Sequence, residues 1–168
     1  MFDRREVREA EFLAFVDATS AYLARTAYLL TGDRDTANDL VQETLARTFA
    51  AWLRVRPDEA KSYARRILVN LNTDRWRRRP VTATQWQDPA DLGNAERRVD
   101  DRDQIARMLA SLSAQQRRVI VLRYFEDLPE AEVAACLGVS IGAVKSACSR
   151  GLAHLREDFA TTREGQLS

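Results

Sequence analysis

The stretch Leu128–Arg156 constrains the fold of this chain most, because it places a helix stop directly before a helix start. Pro129 can open a first helix, since a residue of the first turn needs no N–H donor. Gly138 ends that helix, because glycine adopts the left-handed C-terminal conformation at little cost. Ser140 can then cap a second helix by accepting hydrogen bonds from its free N–H groups. Two helices joined so closely predict a helix-turn-helix.

The second helix of this motif has two unlike faces. Its apolar positions recur at helical spacing and predict a packing face: Ile141, Val144, Cys148, Leu152 and Leu155. The other side carries small, hydroxyl and basic residues: Gly142, Lys145, Ser146, Ser149 and Arg150. Small residues allow close approach to a partner and the basic ones supply positive charge, which is typical of a DNA-binding helix-turn-helix. A plain helical hairpin within a bundle is the alternative.

Composition narrows the class of protein. The 168 residues are 45% hydrophobic, which fits one globular domain or two small ones. The net charge is only +1, so affinity for nucleic acid has to come from local concentrations of charge. Cys136 and Cys148 match no zinc-ligand spacing and His154 is the only histidine, so we expect free thiols in a reduced cytosol and no metal or other cofactor.

Several further classes are disfavoured. The N-terminus, MFDRREVREAEF, is charged and lacks the apolar core of a signal peptide. No apolar run reaches the length of a membrane span, so we expect a soluble, cytoplasmic protein without membrane insertion. The sequence shows neither a glycine-rich phosphate loop nor a Ser/His/Asp or Cys/His arrangement. We therefore expect no enzymatic activity.

The N-terminal half begins with two predicted helices. Glu9–Thr31 carries an apolar stripe and is ended by Gly32. Asp33 and Asp35 stand where carboxylates cap the next helix. The outer face of that helix is unusually flat and consists of acids, an amide and alanines: Asp39, Gln42, Glu43, Ala46 and Ala50. Short residues beside fixed acids suit the docking of another protein's helix, and simple solvent exposure is the alternative.

A third helix is predicted from Glu59 to Arg79, with Asp58 as its cap. Its outward face carries guanidinium, amide and hydroxyl groups, with two aromatic side chains close by: Arg66, Asn70, Thr73 and Arg77, with Tyr63 and Trp76. Basic groups contact phosphates, Asn offers a donor and an acceptor to a base edge, and aromatic rings stack on unpaired bases. This combination favours nucleic acid, including single strands, over an arginine-rich helix end that is merely solvated.

The second half is predicted to be a separate helical domain. Residues 80–94 lose helical periodicity and contain two prolines and a glycine, which predicts a flexible linker. Ser113 and Gln116 form a capping box that favours a buried helix, rather than a strand, for Val119–Phe125. We expect an all-α protein with domains at 1–80 and 100–160, a linker at 81–99 and a tail at 161–168. The polar residues after Arg156 are expected to fray.

Together these segments resemble a known family, the extracytoplasmic-function sigma factors of bacterial RNA polymerase within the sigma-70 family. The actinobacterial SigE-like branch looks closest. GDRDTANDLVQETLARTFAAW (Gly32–Trp52) is similar to the segment that docks on the β′ clamp helices. Tyr63–Arg79 is similar to the segment that melts and reads the −10 element, and Ala110–Arg156 to the −35-reading domain. The resemblance implies a region 2 helical bundle followed by a region 4 helix-turn-helix.

The resemblance, together with the faces described above, gives expected site residues. Those for core polymerase are Asp39, Gln42, Glu43 and Ala46. Those for the −10 element are Tyr63, Arg66, Asn70, Thr73, Trp76 and Arg77, and those for the −35 element are Ser140, Lys145, Ser146, Ser149 and Arg150. The expected partners are core polymerase (β′ clamp helices and β flap), promoter DNA and an anti-sigma factor. Ser149 and Ala147 depart from some relatives, which have an aromatic residue and an arginine there, so their −35 sequence does not transfer.

Two other functions fit parts of the sequence. A stand-alone helix-turn-helix regulator that binds duplex operators as a dimer accounts for Leu128–Arg156, but leaves the acidic face and the arginine stripe unexplained. A structural adaptor would use only Asp39–Ala50 for protein binding. The sigma-factor interpretation accounts for all three segments in order, so we prefer it.

Overall fold

The chain divides into two compact units, Met1–Arg78 and Arg79–Ser168. The computed structural model describes residues 3–78 and 97–165, and all regular structure in those ranges is helical. The predicted all-α fold with two small helical domains is confirmed. Most of the predicted linker lies outside the described residues, as does Trp86, but residues 97–99 already belong to a helix.

Unit 1 contains three long helices: α1 (Arg4–Thr31), α2 (Arg34–Ala51) and α3 (Ala60–Arg78). Helix α1 begins at Arg4, earlier than the predicted Glu9, and Asp3 is its N-cap. Its predicted end is confirmed, because Gly32 adopts a left-handed φ of 69° and its N–H donates to the Tyr28 carbonyl at 2.7 Å. Asp33 caps α2 as predicted, accepting from the Thr36 N–H at 2.8 Å.

The start of α3 differs from the prediction. Asp58 is not its cap, because it lies inside a 3₁₀ turn, Pro57–Glu59, that precedes the helix. The Asp58 carboxylate instead accepts from the Arg56 guanidinium at 3.2 Å. Proline at the first position of that turn has a φ already suited to helical geometry, so the chain begins to coil one step earlier than a simple aspartate cap implies.

The core of unit 1 orients the outer faces of α2 and α3. Leu23, Leu40 and Leu68, one from each helix, are at most 1% exposed. Thr48 is also fully buried, which is tolerated because its hydroxyl donates to the Thr44 carbonyl at 2.7 Å. Because the inner faces of α2 and α3 pack on α1 and on each other, the opposite faces of both helices are left to solvent.

Unit 2 contains α4 (Arg97–Ala110), α5 (Ala114–Ile120), α6 (Glu130–Leu137) and α7 (Ile141–Gly165). The predicted capping box is confirmed, since Ser113 and Gln116 bond reciprocally at 3.2 and 3.3 Å. The strand-like run after it is helical, as predicted, but it widens into a π-helical turn over Val121–Phe125. Leu122 in this turn is completely buried.

The helix-turn-helix is formed by α6 and α7. Helix α6 begins at Glu130 with Pro129 at the cap position, and Gly138 ends it with a φ of 66°. The Ser140 hydroxyl accepts from the Ala143 N–H at 3.1 Å, which confirms the predicted cap of α7. The fraying predicted after Arg156 is wrong for the described residues, because α7 continues to Gly165. Polarity alone does not end a helix, and no strong breaker precedes Gly165 in that stretch.

Candidate functional surfaces

One side of α2 forms a flat exposed surface, which we call the acid–alanine face: Asp39, Gln42, Glu43, Ala46 and Ala50. All of its members are exposed, whereas Leu40, Thr44 and Thr48 on the inner side are at most 1% exposed. The four predicted polymerase-binding residues are therefore brought together on one surface. Its side chains are short, so a partner helix can approach the backbone of α2 closely.

The two carboxylates of this face have different partners. Glu43 accepts from Arg47, one turn along the same helix, at 2.7 Å. Asp39 instead faces α3, where its Oδ2 lies 3.8 Å from Nη2 of Arg75. The other terminal nitrogen of that guanidinium, Nη1, donates to the Thr36 carbonyl at 3.4 Å. The acid–alanine face is thus linked to α3 through one arginine.

The outer side of α3 carries the predicted stripe of polar residues. Arg66, Asn70 and Arg77 are exposed, and none of these three side chains pairs with another described residue. Thr73 differs, since it is half-buried and its hydroxyl donates to the Val69 carbonyl at 2.9 Å. Its donor is already used within the helix, which leaves only acceptor capacity for a ligand.

Two aromatic side chains accompany this stripe. Tyr63 is 36% exposed and Trp76 is 49% exposed, although aromatic side chains of this size are usually buried to a large extent. They stand on the same helix as Arg66, Asn70 and Arg77. The surface therefore offers guanidinium groups, an amide and partly exposed aromatic rings, a combination suited to phosphates and unpaired bases.

The other basic residues of α3 do not all face solvent. The Lys61 ammonium lies 4.1 Å from the centre of the Tyr22 ring on α1, and Arg65 donates to the Tyr22 hydroxyl at 3.2 Å. These cations attach α3 to α1 instead of extending the stripe. The free positive charge of this surface is consequently concentrated at Arg66 and near the C-terminal end of the helix, which carries Arg77 and Arg78.

In unit 2 the outward face of α7 forms a second polar surface. Lys145, Ser146, Ser149 and Arg150 are exposed and line one depression of about 380 Å³. Ser140, the fifth residue predicted for this site, is exposed, but its hydroxyl oxygen accepts the capping hydrogen bond at the start of α7. Nζ of Lys145 lies 3.8 Å from Oε2 of Glu130, at the start of α6. Four of the five predicted residues are thus brought together.

The inner face of α7 corrects two details of the sequence interpretation. Ala147 is 2% exposed and lies in the core, so the departure from relatives at this position affects packing and not the outward surface. Ile141, predicted to pack, is 46% exposed. Gly151 is buried, and a Cβ added there would lie 2.7 Å from Cδ1 of Ile120. Glycine therefore allows α7 to pack closely on α5.

The π-helical turn presents a residue that the sequence analysis did not select. Tyr124 is 52% exposed, and its hydroxyl accepts from the Cys148 thiol of α7 at 3.5 Å. This hydrogen bond is the main reason that the pKa of Tyr124 lies above its ordinary value, and partial burial raises the pKa further. Hydrophobic periodicity placed Val119–Phe125 in a buried helix and gave no signal for the wider turn.

The described residues give little support to other kinds of site. No group of three His, Cys, Asp or Glu side chains among them could hold a metal ion. No single helix in the same part of the chain is long and apolar enough to cross a membrane, although the bent pair Glu130–Leu137 and Ile141–Gly165 passes on length and composition alone.

Family models of known proteins match two separate parts of the chain. The family model "Sigma-70 region 2" matches residues 15–80, and "Sigma-70, region 4" matches residues 102–155. An RNA polymerase sigma-E factor of Streptomyces coelicolor is 36% identical over 152 residues, which cover 89% of this chain and 86% of that protein. The ECF RNA polymerase sigma factor SigL of Mycobacterium tuberculosis is 35% identical over 171 residues, covering 89% of this chain and 91% of the relative.

A solved structure is similar over most of its length as well. The sigma factor RpoE of Bartonella quintana, solved in complex with the anti-sigma factor NepR, has a TM-score of 0.68 and 26% identity. The match covers 87% of this chain and 94% of that one. The chain therefore belongs to the extracytoplasmic-function sigma factors of the sigma-70 family. Such proteins are non-catalytic subunits that bind core RNA polymerase and promoter DNA, so the predicted function in transcription initiation is confirmed.

Proposed function

We propose that this sigma factor divides promoter use among three surfaces. The acid–alanine face of α2 binds the β′ clamp helices, the exposed stripe of α3 reads and melts the −10 element, and the depression on α7 reads the −35 element. The observation that supports the proposal is that most members of each predicted residue set are exposed on one helix and have chemistry suited to the ligand; the exceptions are Thr73, which is half-buried, and Ser140, which caps α7.

The docking step relies on the shape and charge of α2. Ala46 and Ala50 let a partner helix approach, while Asp39 and Glu43 provide carboxylates for its basic side chains. Binding of unit 2 to the β flap is also expected, but it stays a prediction without assigned residues. These contacts place the chain on the polymerase before it meets DNA.

The melting step relies on α3. Separating a base from its stack costs a few kcal/mol, and part of that cost is offset when the base is captured by the protein. Trp76 and Tyr63 offer ring faces for stacking, Asn70 offers both a donor and an acceptor to a base edge, and Arg66 and Arg77 bind phosphates. No covalent step by this chain is required.

The −35 step relies on α7. Its outward face has small residues, so the helix can enter a major groove while Lys145 and Arg150 reach the phosphates or base edges. We further propose that the protein works in the cytoplasm beside its polymerase and that an anti-sigma factor regulates it. The relative from Bartonella quintana, which was solved with such a partner, supports the second proposal.

A reconstitution experiment tests the docking assignment. Glu43→Lys reverses a charge on the acid–alanine face, and we expect it to weaken binding to core polymerase at least tenfold, because like charges across an interface cost several kcal/mol. Asp17→Lys makes the same change on an exposed position of α1 and should leave core binding within about twofold of the parent. Affinity is measured by fluorescence anisotropy with labelled protein, followed by run-off transcription.

The result also separates the alternative functions. Loss of core binding together with loss of transcription supports the docking assignment. Equal core affinity for the parent and Glu43→Lys would contradict it. Specific binding of the free protein to duplex operators, with no requirement for core polymerase, would instead favour the stand-alone regulator.

A further inference from the structure

Arg75 joins two surfaces that have different proposed ligands. Arg75 is followed on α3 by Trp76 and Arg77, both assigned to the −10 element, yet its guanidinium contacts α2. Nη2 lies 3.8 Å from Oδ2 of Asp39, and Nη1 donates to the Thr36 carbonyl at 3.4 Å. Asp39 belongs to the acid–alanine face. The partner of a docking carboxylate is therefore a cation of the DNA-binding helix.

The pair is open to competition. The Arg75 and Asp39 side chains are 49% and 68% exposed, so water, a basic residue of a partner or a phosphate can reach either group. Arginine stays charged at any ordinary pH. When the Asp39 carboxylate binds another cation, the Arg75 guanidinium therefore keeps its charge and can bind another anion. An exposed pair of this kind changes an equilibrium by about fivefold at most.

We propose that Arg75 is a further phosphate-binding residue for promoter DNA, and that Asp39 holds it until core polymerase binds. This inference rests on the proposed role of Asp39 in docking. When basic groups of the polymerase bind the Asp39 carboxylate, the guanidinium leaves α2 and binds a phosphate beside the −10 stripe. Core binding thus strengthens DNA binding, and by linkage DNA binding strengthens core binding by the same factor.

The geometry distinguishes Asp39 from the other acids nearby. Glu43 is paired within α2 through Arg47, so its engagement by a partner releases no residue of α3. Asp74, next to Arg75 in sequence, is exposed and has no partner among the described residues. A general repulsion between acids and DNA would affect Asp74 at least as strongly as Asp39, because Asp74 stands on the DNA-binding helix itself.

A double-mutant cycle on the full-length free protein tests the proposal. The probe is a labelled single-stranded oligonucleotide of mixed sequence at low salt, without polymerase. We expect Asp39→Asn to tighten binding about twofold to fivefold, Arg75→Gln to weaken it, and Asp39→Asn to have no effect once Arg75 is replaced. The matched control is Asp74→Asn, whose effect should be the same in both backgrounds.

Core affinity gives a second readout that a simple DNA contact would not change. Arg75→Gln removes a competitor for the Asp39 carboxylate, so we expect it to tighten binding to core polymerase by a similar factor of about two to five. All of these positions are exposed, so far-ultraviolet circular dichroism should be the same for every variant.

The outcomes separate this proposal from the docking assignment. If Asp39→Asn tightens DNA binding equally with and without Arg75, the ion pair does not hold Arg75 and the proposal is overturned. If the cycle shows coupling but Asp39→Asn leaves core affinity unchanged, Asp39 is not a docking residue and the link to polymerase fails. Coupling in the cycle together with tighter core binding by Arg75→Gln supports the whole scheme.

Discussion

The two helices that we propose to contact DNA, α3 in unit 1 and α7 in unit 2, both carry exposed positive charge but differ in the side chains around it. Both place arginine or lysine where phosphates can be reached. Helix α3 adds two exposed aromatic rings, whereas the face of α7 that lines the depression carries only serines between its cations. Rings suit bases that have left the duplex, and small residues suit a helix that must lie inside an intact groove.

The two helices are also anchored differently. Helix α3 adds polar contacts with α1 to its apolar packing, since Lys61 and Arg65 both contact Tyr22. Helix α7 is held by close apolar packing, with Gly151 against Ile120 of α5. Substitutions on α3 should therefore affect the stacking of bases, and substitutions on the outward face of α7 should affect its fit in the groove. Substitutions on the inner face of α7 should instead affect the stability of unit 2.

The largest effect is expected for the aromatic residues of α3. Tyr63→Ala with Trp76→Ala removes two stacking surfaces, each worth about 1–3 kcal/mol per stacked base. We expect holoenzyme binding to single-stranded −10 DNA to fall at least tenfold, while binding to a duplex −35 fragment stays unchanged. Anisotropy titrations with the two probes measure both. Equal losses on the two probes would show that α3 and α7 do not differ in this way.

A second prediction compares two glycines on opposite faces of α7. Gly151→Leu forces a side chain against Ile120 and should destabilise unit 2 by about 1–3 kcal/mol. A Cβ added at Gly142 would meet only the Ser140 hydroxyl oxygen, at an ordinary contact distance of 3.9 Å, so Gly142→Leu should leave stability intact and impair only −35 binding. Two of the tryptophans, Trp52 and Trp76, lie in unit 1, so tryptophan fluorescence reports mainly on that unit. For Gly151→Leu we expect the unfolding transition measured by fluorescence to match that of the parent. The transition measured by circular dichroism should begin at a lower temperature than in the parent.

The opposite result would change the comparison. If Gly142→Leu lowered stability as much as Gly151→Leu, close packing would not be confined to the inner face of α7. The helix would then be held from both sides, and its outward surface would not be free for DNA.

The smallest effect is expected at the ion pair between Lys145 and Glu130. Glu130→Gln frees Lys145 and removes a negative charge near the phosphates, so duplex −35 binding should tighten by up to about fivefold. The matched control is Glu132→Gln, an exposed acid on the same helix that has no ion pair within the described part of the chain. If both variants gave the same gain at several salt concentrations, the pair itself would contribute nothing.

Local signals in the sequence gave reliable predictions of where helices begin and where they end. Gly32, Gly138, Asp33 and Ser113 each act through bonds to residues within a few positions, so their chemistry is complete in the sequence. Asp58 failed because a proline next to it opened a different local structure. A cap residue predicts a helix start only when no competing turn former precedes it.

The choice of exposed faces was predicted less completely. Spacing put Ile141 on the packing side, but it is 46% exposed, whereas Ala147, where some relatives have an arginine, is buried. Thr73 fell on the correct stripe, but its hydroxyl is bonded to its own helix. The helical repeat predicts which residues share a face of the helix, whereas packing against the neighbouring helices decides which face is buried.

The sequence by itself determined the helical class, most helix ends and the residue types of the three proposed surfaces, because these depend on neighbours in the chain. Only the tertiary structure decided which charges are free and which are paired. Asp39 meets Arg75, and Lys61 meets Tyr22, and in each pair the two residues lie on different helices and far apart along the chain. Such pairs form when packing brings two helices together, and no local pattern specifies where their long side chains meet.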